Sequence, residues 1–579
     1  MKEKLFSKKL TRRQFISAGG VSLAGLAISC GGGKGIETLA SDSPPKIQIT
    51  PGQEADTLFF NGKIFTVDTR DTQAQALAIR DGVIQAVGND ADLMAFSGSA
   101  TQKIDLGGKV MTPGLIDPHV HFRVMGLDYL YYIPFLPPLV KDVQTLLNAI
   151  SENLKSKQPG EWLQGYYLAL TDNMFPDRRL LDTVSPNNPV WVMHIGGHWG
   201  SANSAAINAA GITASTASPQ GGIIEKDANG EPTGLFYNHR AMDILRRVAP
   251  PVTLETSRQA IINTQPVMAA CGVTSYQDNN IRDPEHIKLY QQLAKEGQLY
   301  LRSALFLTLE WPQDIEKVDL VEHYKDDFSR FAGFKFLIDG QTPTAYCHQP
   351  HSGASWDMPT WDPDEYKSVI RTLHNTGLQI CTHCIGDAAA DLALDAYEAA
   401  MNAGPRSDPR HRLEHIILTT PQATTRMRDL GVVASCNPHF IFVGGDSYTN
   451  TFGEERKNRI IVTREWLDAG VHVTIGSDAP SVPFHHPAAT MAAAISRITF
   501  SKQVLNKEQS MTFSEALRAH TYEAAYAAHE ETIKGSLEPG KLADVVVWNE
   551  DPSKLNIGDL ANTKTVNMTM VGGKVVFQT

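Results

Sequence analysis

Apolar and polar positions alternate in short runs at both ends of the chain and fall into longer, separated blocks through its middle. Residues 55–60 read A-D-T-L-F-F, Asn61-Gly62 follows, and 63–67 read K-I-F-T-V. Two alternating runs flanking Asn-Gly predict a β-hairpin. The pattern recurs at 76–79, Asp81-Gly82 and 83–87. It recurs again near the C-terminus, where 544–548 precede 565–571, Gly572-Gly573 and 574–577. Strands at both ends of a long middle predict one small β-sandwich domain assembled from 54–108 and 533–579.

The middle reads as strands separated by helices. Eight strands are predicted at 110–121, 272–278, 299–307, 333–339, 378–383, 411–415, 432–437 and 471–478, with helical patterns such as 364–375 and 387–401 between them. Alternating β and α over eight units predicts the α/β class and a (β/α)₈ TIM barrel over 109–532. Between the first and second strands lie Trp162, His194, His198, Asn203 and the segment from Gly221-Gly222 to Thr233-Gly234. A structureless loop of that length does not fit a compact domain. The expectation is an insertion at 125–268 with its own fold, set over one end of the barrel.

Composition adds bounds. The chain has 579 residues, 42% hydrophobic and 20% charged, with a net charge of -11. No basic stripe stands out, so a nucleic-acid partner is not expected. Residues 1–30 read as targeting sequence: Lys8, Lys9 and T-R-R-Q-F-I precede an apolar, Gly- and Ala-rich run over 16–28. That run is shorter than the roughly 20 residues a membrane span needs, so it predicts a twin-arginine signal peptide and export to the periplasm. Cys30, followed by Gly31-Gly32-Gly33, predicts a lipid anchor, and 31–53 read as a linker. Five cysteines remain beyond the signal, an odd count that argues against a disulfide framework. Cys381 and Cys384 read as buried thiols beside a metal strand.

The candidate chemistry begins with Asp117-Pro118-His119-Val120-His121. Residues i and i+2 of a strand share a face, so His119 and His121 converge. They lie at the end of the first strand, where barrel active sites are built. His383, His415 and Asp478 close the predicted fifth, sixth and eighth strands at the same barrel end. Imidazole and carboxylate groups gathered there predict one or two divalent metal ions, zinc foremost. Lys335 sits within the apolar fourth strand, G-F-K-F-L-I-D, on the face of Leu337 and Asp339. A buried lysine must be paired or modified. Pairing with Asp339, and reaction with CO₂ to give an anionic carbamate, both satisfy that demand.

The set resembles the amidohydrolase superfamily, with H-x-H on strand one, Lys on strand four, His on strands five and six and Asp on strand eight. H-C-I-G-D-A-A at 383–389, R-L-E-H at 412–415, D-A-P at 478–480 and G-S-L-E-P-G-K-L-A-D at 535–544 are similar to motifs of its YtcJ-like branch of metal-dependent hydrolases. His198 to Asn203 and the Gly221 to Gly234 segment resemble that branch's inserted segment. The resemblance runs from about residue 54 to the C-terminus. It implies a carbamylated Lys335 bridging two metals, and a small-molecule amide, N-acyl or cyclic amide substrate. Cys384 departs from the family, which often has a small residue there.

On this reading a metal lowers the pKa of a bound water to roughly 7, generating a nucleophile. Asp478 binds metal, takes the water's proton and returns it to the leaving nitrogen. His198, Trp199 and Asp339 are the candidate substrate contacts. Two other readings stand beside it. One is a metal-dependent deaminase on the same barrel, disfavoured because no Glu closely follows His383. The other is a non-catalytic exported binding protein, disfavoured by the intact ligand set. Oligomeric state is open.

Overall fold

The computed structural model describes residues 53–136, 139–167, 176–351, 358–482, 485–554, 558 and 563–579. The stretch read above as a twin-arginine signal, Cys30 and nearly all of the stretch read as a linker lie outside these residues. Eight strands form one sheet in chain order: β1 (Leu115–Val120), β2 (Val273–Ile281), β3 (Arg302–Leu309), β4 (Ser329–Leu337), β5 (Gln379–Cys384), β6 (Arg412–His415), β7 (Val433–Cys436) and β8 (Val473–Ile475). Every neighbouring pair is parallel. Beyond β8 the chain meets β1 again. The Asp478 N–H donates to His119 O at 2.7 Å, and the His121 N–H donates to Ala479 O at 2.8 Å. The result is a nearly closed TIM barrel.

The intervening helices follow from pattern and capping. Helix Pro363–His374 starts with Pro at its first turn, and the Asp362 carboxylate accepts the N–H groups of Asp364 and Glu365. Its buried residues, Tyr366, Ile370, Leu373 and His374, fall at helical spacing and cover the barrel.

Three strand expectations change. The run 110–121 is cut at Gly114 into Val110–Pro113, which joins a different sheet, and β1. A Cβ at Gly114 would lie 2.2 Å from Thr274 Oγ1, so this close crossing requires glycine. The fourth strand ends at Leu337, before Asp339, and the eighth ends at Ile475, before Asp478. Asp478 has φ 50°, which no extended strand accommodates.

The chain ends build two further sheets. One orders Val83–Gly88, Ala76–Arg80, Thr57–Phe60 and Gln102–Asp105. The other orders Lys574–Gln578, Val566–Val571, Val545–Trp548, Val110–Pro113, Lys63–Phe65 and Gln73–Ala74. Phe59, Leu77 and Ile79 of the first pack with Met111, Val545 and Val547 of the second in one buried cluster. The Asp81-Gly82 and Gly572-Gly573 turns make hairpins, with positive φ at both residues of each. The Asn61-Gly62 hairpin does not form. Thr57–Phe60 has both edges occupied, by Ala76–Arg80 and Gln102–Asp105, so Lys63–Phe65 crosses to the other sheet.

Between β1 and β2 stands a six-stranded sheet of Ile223–Lys226, Pro232–Tyr237, Trp199–Ala202, Val190–His194, Leu163–Tyr167 and Ile133–Phe135. It has buried clusters of its own, around Leu146, Ile150 and Val192 and around Trp191, Phe236 and Met242. It meets the barrel mouth where Arg240 Nε donates to Glu310 O at 2.9 Å and Thr344 Oγ1 donates to Asn238 Oδ1 at 3.0 Å.

Candidate metal centre

The floor of the barrel mouth is set by groups that aim its imidazoles. His119, fully buried on β1, has Nδ1 at 2.5 Å from Glu414 Oε2. Glu414 is itself 2.7 Å from Arg412 Nε, also fully buried. Burial alone would raise the Glu414 carboxyl, but the Arg412 guanidinium and His119 hold it well below the usual carboxylate range. A carboxylate at Nδ1 puts the proton there, so His119 Nε2 turns a lone pair toward the site. His415 is aimed the same way. Asn437 Nδ2 donates to Gly476 O at 2.9 Å, which leaves Asn437 Oδ1 to accept the His415 Nδ1 proton at 2.7 Å.

Asp478 completes the set. Its Oδ1 lies 3.3 Å from His119 Nε2 and 3.0 Å from His121 Nε2. That buried oxygen makes no well-aligned hydrogen bond among the described residues. A carboxylate oxygen facing the lone pair of His119 Nε2 is unfavourable unless a cation lies between them. One ligand atom each from His119, His415 and Asp478 falls within 4.8 Å of the others. This donor set fits a divalent metal such as zinc. The loop bearing Asp478 is tied to β1, because Asp117 accepts from Ser477 Oγ at 2.5 Å and from Ser477 N at 3.0 Å.

The other predicted residues take varied places. The His383 ring is 4.5 Å from the His415 ring, and its Nε2 is 3.4 Å from both Asp339 Oδ1 and Gly340 O. Lys335 is 2% exposed, with Nζ 3.5 Å from His119 Nε2. Among the described residues no carboxylate comes within 4.0 Å of it, so the alternative of a Lys335–Asp339 pair is not realised. Burial pulls the Lys335 ammonium below its usual range. Asp339 instead accepts backbone N–H groups of Ile385, Gly386 and Tyr346 at 2.9–3.1 Å. Burial pushes its carboxyl up to about 8 despite those bonds. Cys381 and Cys384 are free and buried on β5.

A cavity of about 330 Å³ opens above this floor. His121, Lys335, His383, His415 and Asp478 line it from the barrel, and His194 and His198 from the inserted sheet. The His198 ring lies 4.7 Å from that of His383, and burial holds His198 down to about 3, hence neutral. Trp199 and Asp339 are not in the cavity wall. Trp199 packs on His194, with ring centroids 4.0 Å apart.

Glu414 and Asn437 escaped the sequence reading. Glu414 precedes His415, and neighbours on a regular strand face opposite ways. His415 has φ 70°, which turns its side chain into the mouth as well. The R-L-E-H motif was the available signal.

Residues 102–577 match the sequence model of the Amidohydrolase family. The chain is 29% identical over 568 residues to Protein LONG AFTER FAR-RED 3 of Arabidopsis thaliana, covering 93% of this chain and 94% of that one. It is 28% identical over 545 residues to the N-substituted formamide deformylase of Arthrobacter pascens, covering 91% and 99%. Its fold is similar to the crystal structure of an uncharacterized metal-dependent hydrolase from Pyrococcus horikoshii, with TM-score 0.68, 23% identity and coverage of 87% and 99%.

Proposed function

Because the chain belongs to the amidohydrolase family, we propose that it is a metal-dependent hydrolase of a small-molecule C–N bond of the amide, N-acyl or cyclic amide class. The observation that carries this is the convergence of His119 Nε2, His415 Nε2 and the buried Asp478 Oδ1. Together with His121 and His383, these residues would hold one or two divalent ions. A bound ion supplies acidity, lowering the pKa of a water from 15.7 to about 7. Asp478 receives the water's proton and delivers it to the leaving nitrogen, which would otherwise depart as an unstable amide anion. Neutral His198 stands beside His383 to contact the substrate. Lys335, desolvated and without an anionic partner among the described residues, is suited to react with CO₂, and as a carbamate it would bridge two metals.

An N-substituted formamide is the first substrate to try, given the Arthrobacter pascens relative. The test is amine release from N-formyl, N-acetyl and cyclic amides by zinc-reconstituted protein. Release by the native chain and its loss in Asp478→Asn are expected. Absence of release across the panel, or ammonia release from aminated heterocycles instead, would overturn the reading. The same proposal places the enzyme in the periplasm. Residues 1–30 are read by the twin-arginine machinery and Cys30 carries lipid, so replacing Arg12 and Arg13 with Lys should retain the chain in the cytoplasm.

A further inference from the structure

Two acidic residues line the cavity among the described residues, Asp478 on the floor and Asp128 on the wall. Asp128 lies on helix Phe122–Leu130, which begins directly after His121. Val124 and Leu127 of that helix line the cavity with it, a spacing that puts all three on one face. Tyr132, just past the helix end, continues the face. Asp128 is 8% exposed. Its carboxyl makes no hydrogen bond and no ion pair among the described residues, and burial is the one influence on it. Neither of its oxygens is among the buried atoms closed to solvent. The small surface that Asp128 keeps therefore includes its carboxyl oxygens, open to the cavity.

The cations of the same wall are committed elsewhere. Arg246 pairs with Asp243 at 3.1 Å and Arg282 with Glu310 at 2.9 Å, and Asp278 is the charge that most favours the Arg123 guanidinium. No lysine, arginine or histidine nitrogen of the described residues lies within 4.0 Å of the Asp128 carboxyl. Other unpartnered atoms of the wall, among them Arg123 Nε, Trp191 Nε1 and His239 Nε2, are closed to solvent, so a ligand in the cavity does not reach them. His239 Nε2 carries its ring proton, because Nδ1 receives an N–H of Arg282 at 3.1 Å. An ionised carboxylate out of water and without a counter-charge is costly. Burial accordingly pushes the Asp128 carboxyl well above the usual range, and on its own it keeps its proton. An ammonium group reverses that balance, because it brings both a donor and the compensating charge. Asp128 stands six residues beyond Phe122, which at 1.5 Å per residue is about 9 Å along the helix from its metal end.

We infer that Asp128 is a subsite for a protonated amine, so that the substrate is an amide carrying a second, charged amino group at the far end of its chain, in the chemical class of the mono-acylated diamines. The inference rests on the amide-hydrolase reading. With the amide carbonyl over the floor, the ammonium donates to Asp128 along the face shared with Val124, Leu127 and Tyr132. A charge-assisted bond of this kind selects strongly against an analogue that lacks the donor, because the acid is then left buried and unmet.

The test compares N-formyl-1,5-diaminopentane with N-formylhexylamine, in which a methyl replaces the ammonium, on zinc-reconstituted protein. The native chain is expected to prefer the charged compound by about 10–100-fold in kcat/KM. Asp128→Asn keeps the shape of the side chain and should cut that ratio to below about 3-fold. A native chain that hydrolyses both equally or prefers the hexylamine compound, or a ratio unchanged in Asp128→Asn, overturns the subsite and leaves the amide-hydrolase reading standing. If neither compound is hydrolysed, that reading fails for them, and binding still decides the subsite. Calorimetry with n-pentylamine at neutral pH should show affinity in the native chain, with release of close to one proton as Asp128 ionises. The proton is read from the dependence of the binding heat on the ionisation enthalpy of the buffer. Asp128→Asn should bind the amine at least about 10-fold more weakly and release no proton. Absence of binding to the native chain would overturn the proposal. Equal affinity in the variant would assign the amine to the metal and overturn it as well.

Discussion

The floor and the outer wall of the cavity are built on opposite rules. On the floor, two of the candidate ligand imidazoles are backed by a buried partner, Glu414 for His119 and Asn437 for His415. The orientation of these two rings is thus settled before anything binds. On the wall, Arg123 and His239 hold donors without acceptors among the described residues. The floor sits on barrel strand ends, and the wall takes His239 from the inserted segment. The partners that aim the floor imidazoles come with the barrel, whereas His239 comes with an added element, so the two can vary independently.

The largest effect expected is on the floor. Asp478→Asn keeps the shape but removes the proton acceptor, and should lower kcat by roughly 10⁴-fold in an amine-release assay. A loss under 10-fold would remove Asp478 from proton transfer. The opposite, N-terminal end of the barrel supplies a contrast. There Glu530 pairs with Lys534 at 2.8 Å and with Arg330 at 3.1 Å. Glu530→Gln leaves a buried lysine and a partly buried arginine underpaired and should cost about 3 kcal/mol in denaturant unfolding while kcat is retained. Loss of kcat without loss of stability would blur the division between the two ends.

The pH dependence has a defined sign. Burial would raise the Glu530 carboxyl, but Lys534 and Arg330 outweigh it and bring it down to about 2. Its folded pKa is depressed, so its stabilisation is complete above about 4.5 and drains away as pH falls toward 2. The stability of Glu530→Gln, measured by the same unfolding assay, should fall less steeply across that window. A smaller effect is expected from Glu414→Gln, which weakens the backing of His119 and should reduce zinc affinity about 10–100-fold. Unchanged affinity would show that the imidazole is oriented by packing alone.

Much of this was legible in the chain. The barrel order followed from alternation, and His119, His383, His415 and Asp478 stood out because each falls near the end of a predicted strand. Positive φ limited the rest. It brought Glu414 and His415 into the same mouth and carried Asp478 past the end of β8, and neither follows from period-two alternation. Asn61-Gly62 failed as a hairpin because the neighbouring edges were already occupied, which is a property of the sheet and not of the dipeptide. The donors of Arg123 and His239 became visible only once their partners could be counted.

The most direct measurement is zinc bound per chain, by elemental analysis, for the reconstituted native protein and for folded His415→Ala. At least one ion per native chain, with affinity lower by 10-fold or more in the variant, is the predicted result. A folded native chain that retains no divalent metal, or a variant that binds it as tightly as the native chain, would contradict the metal floor.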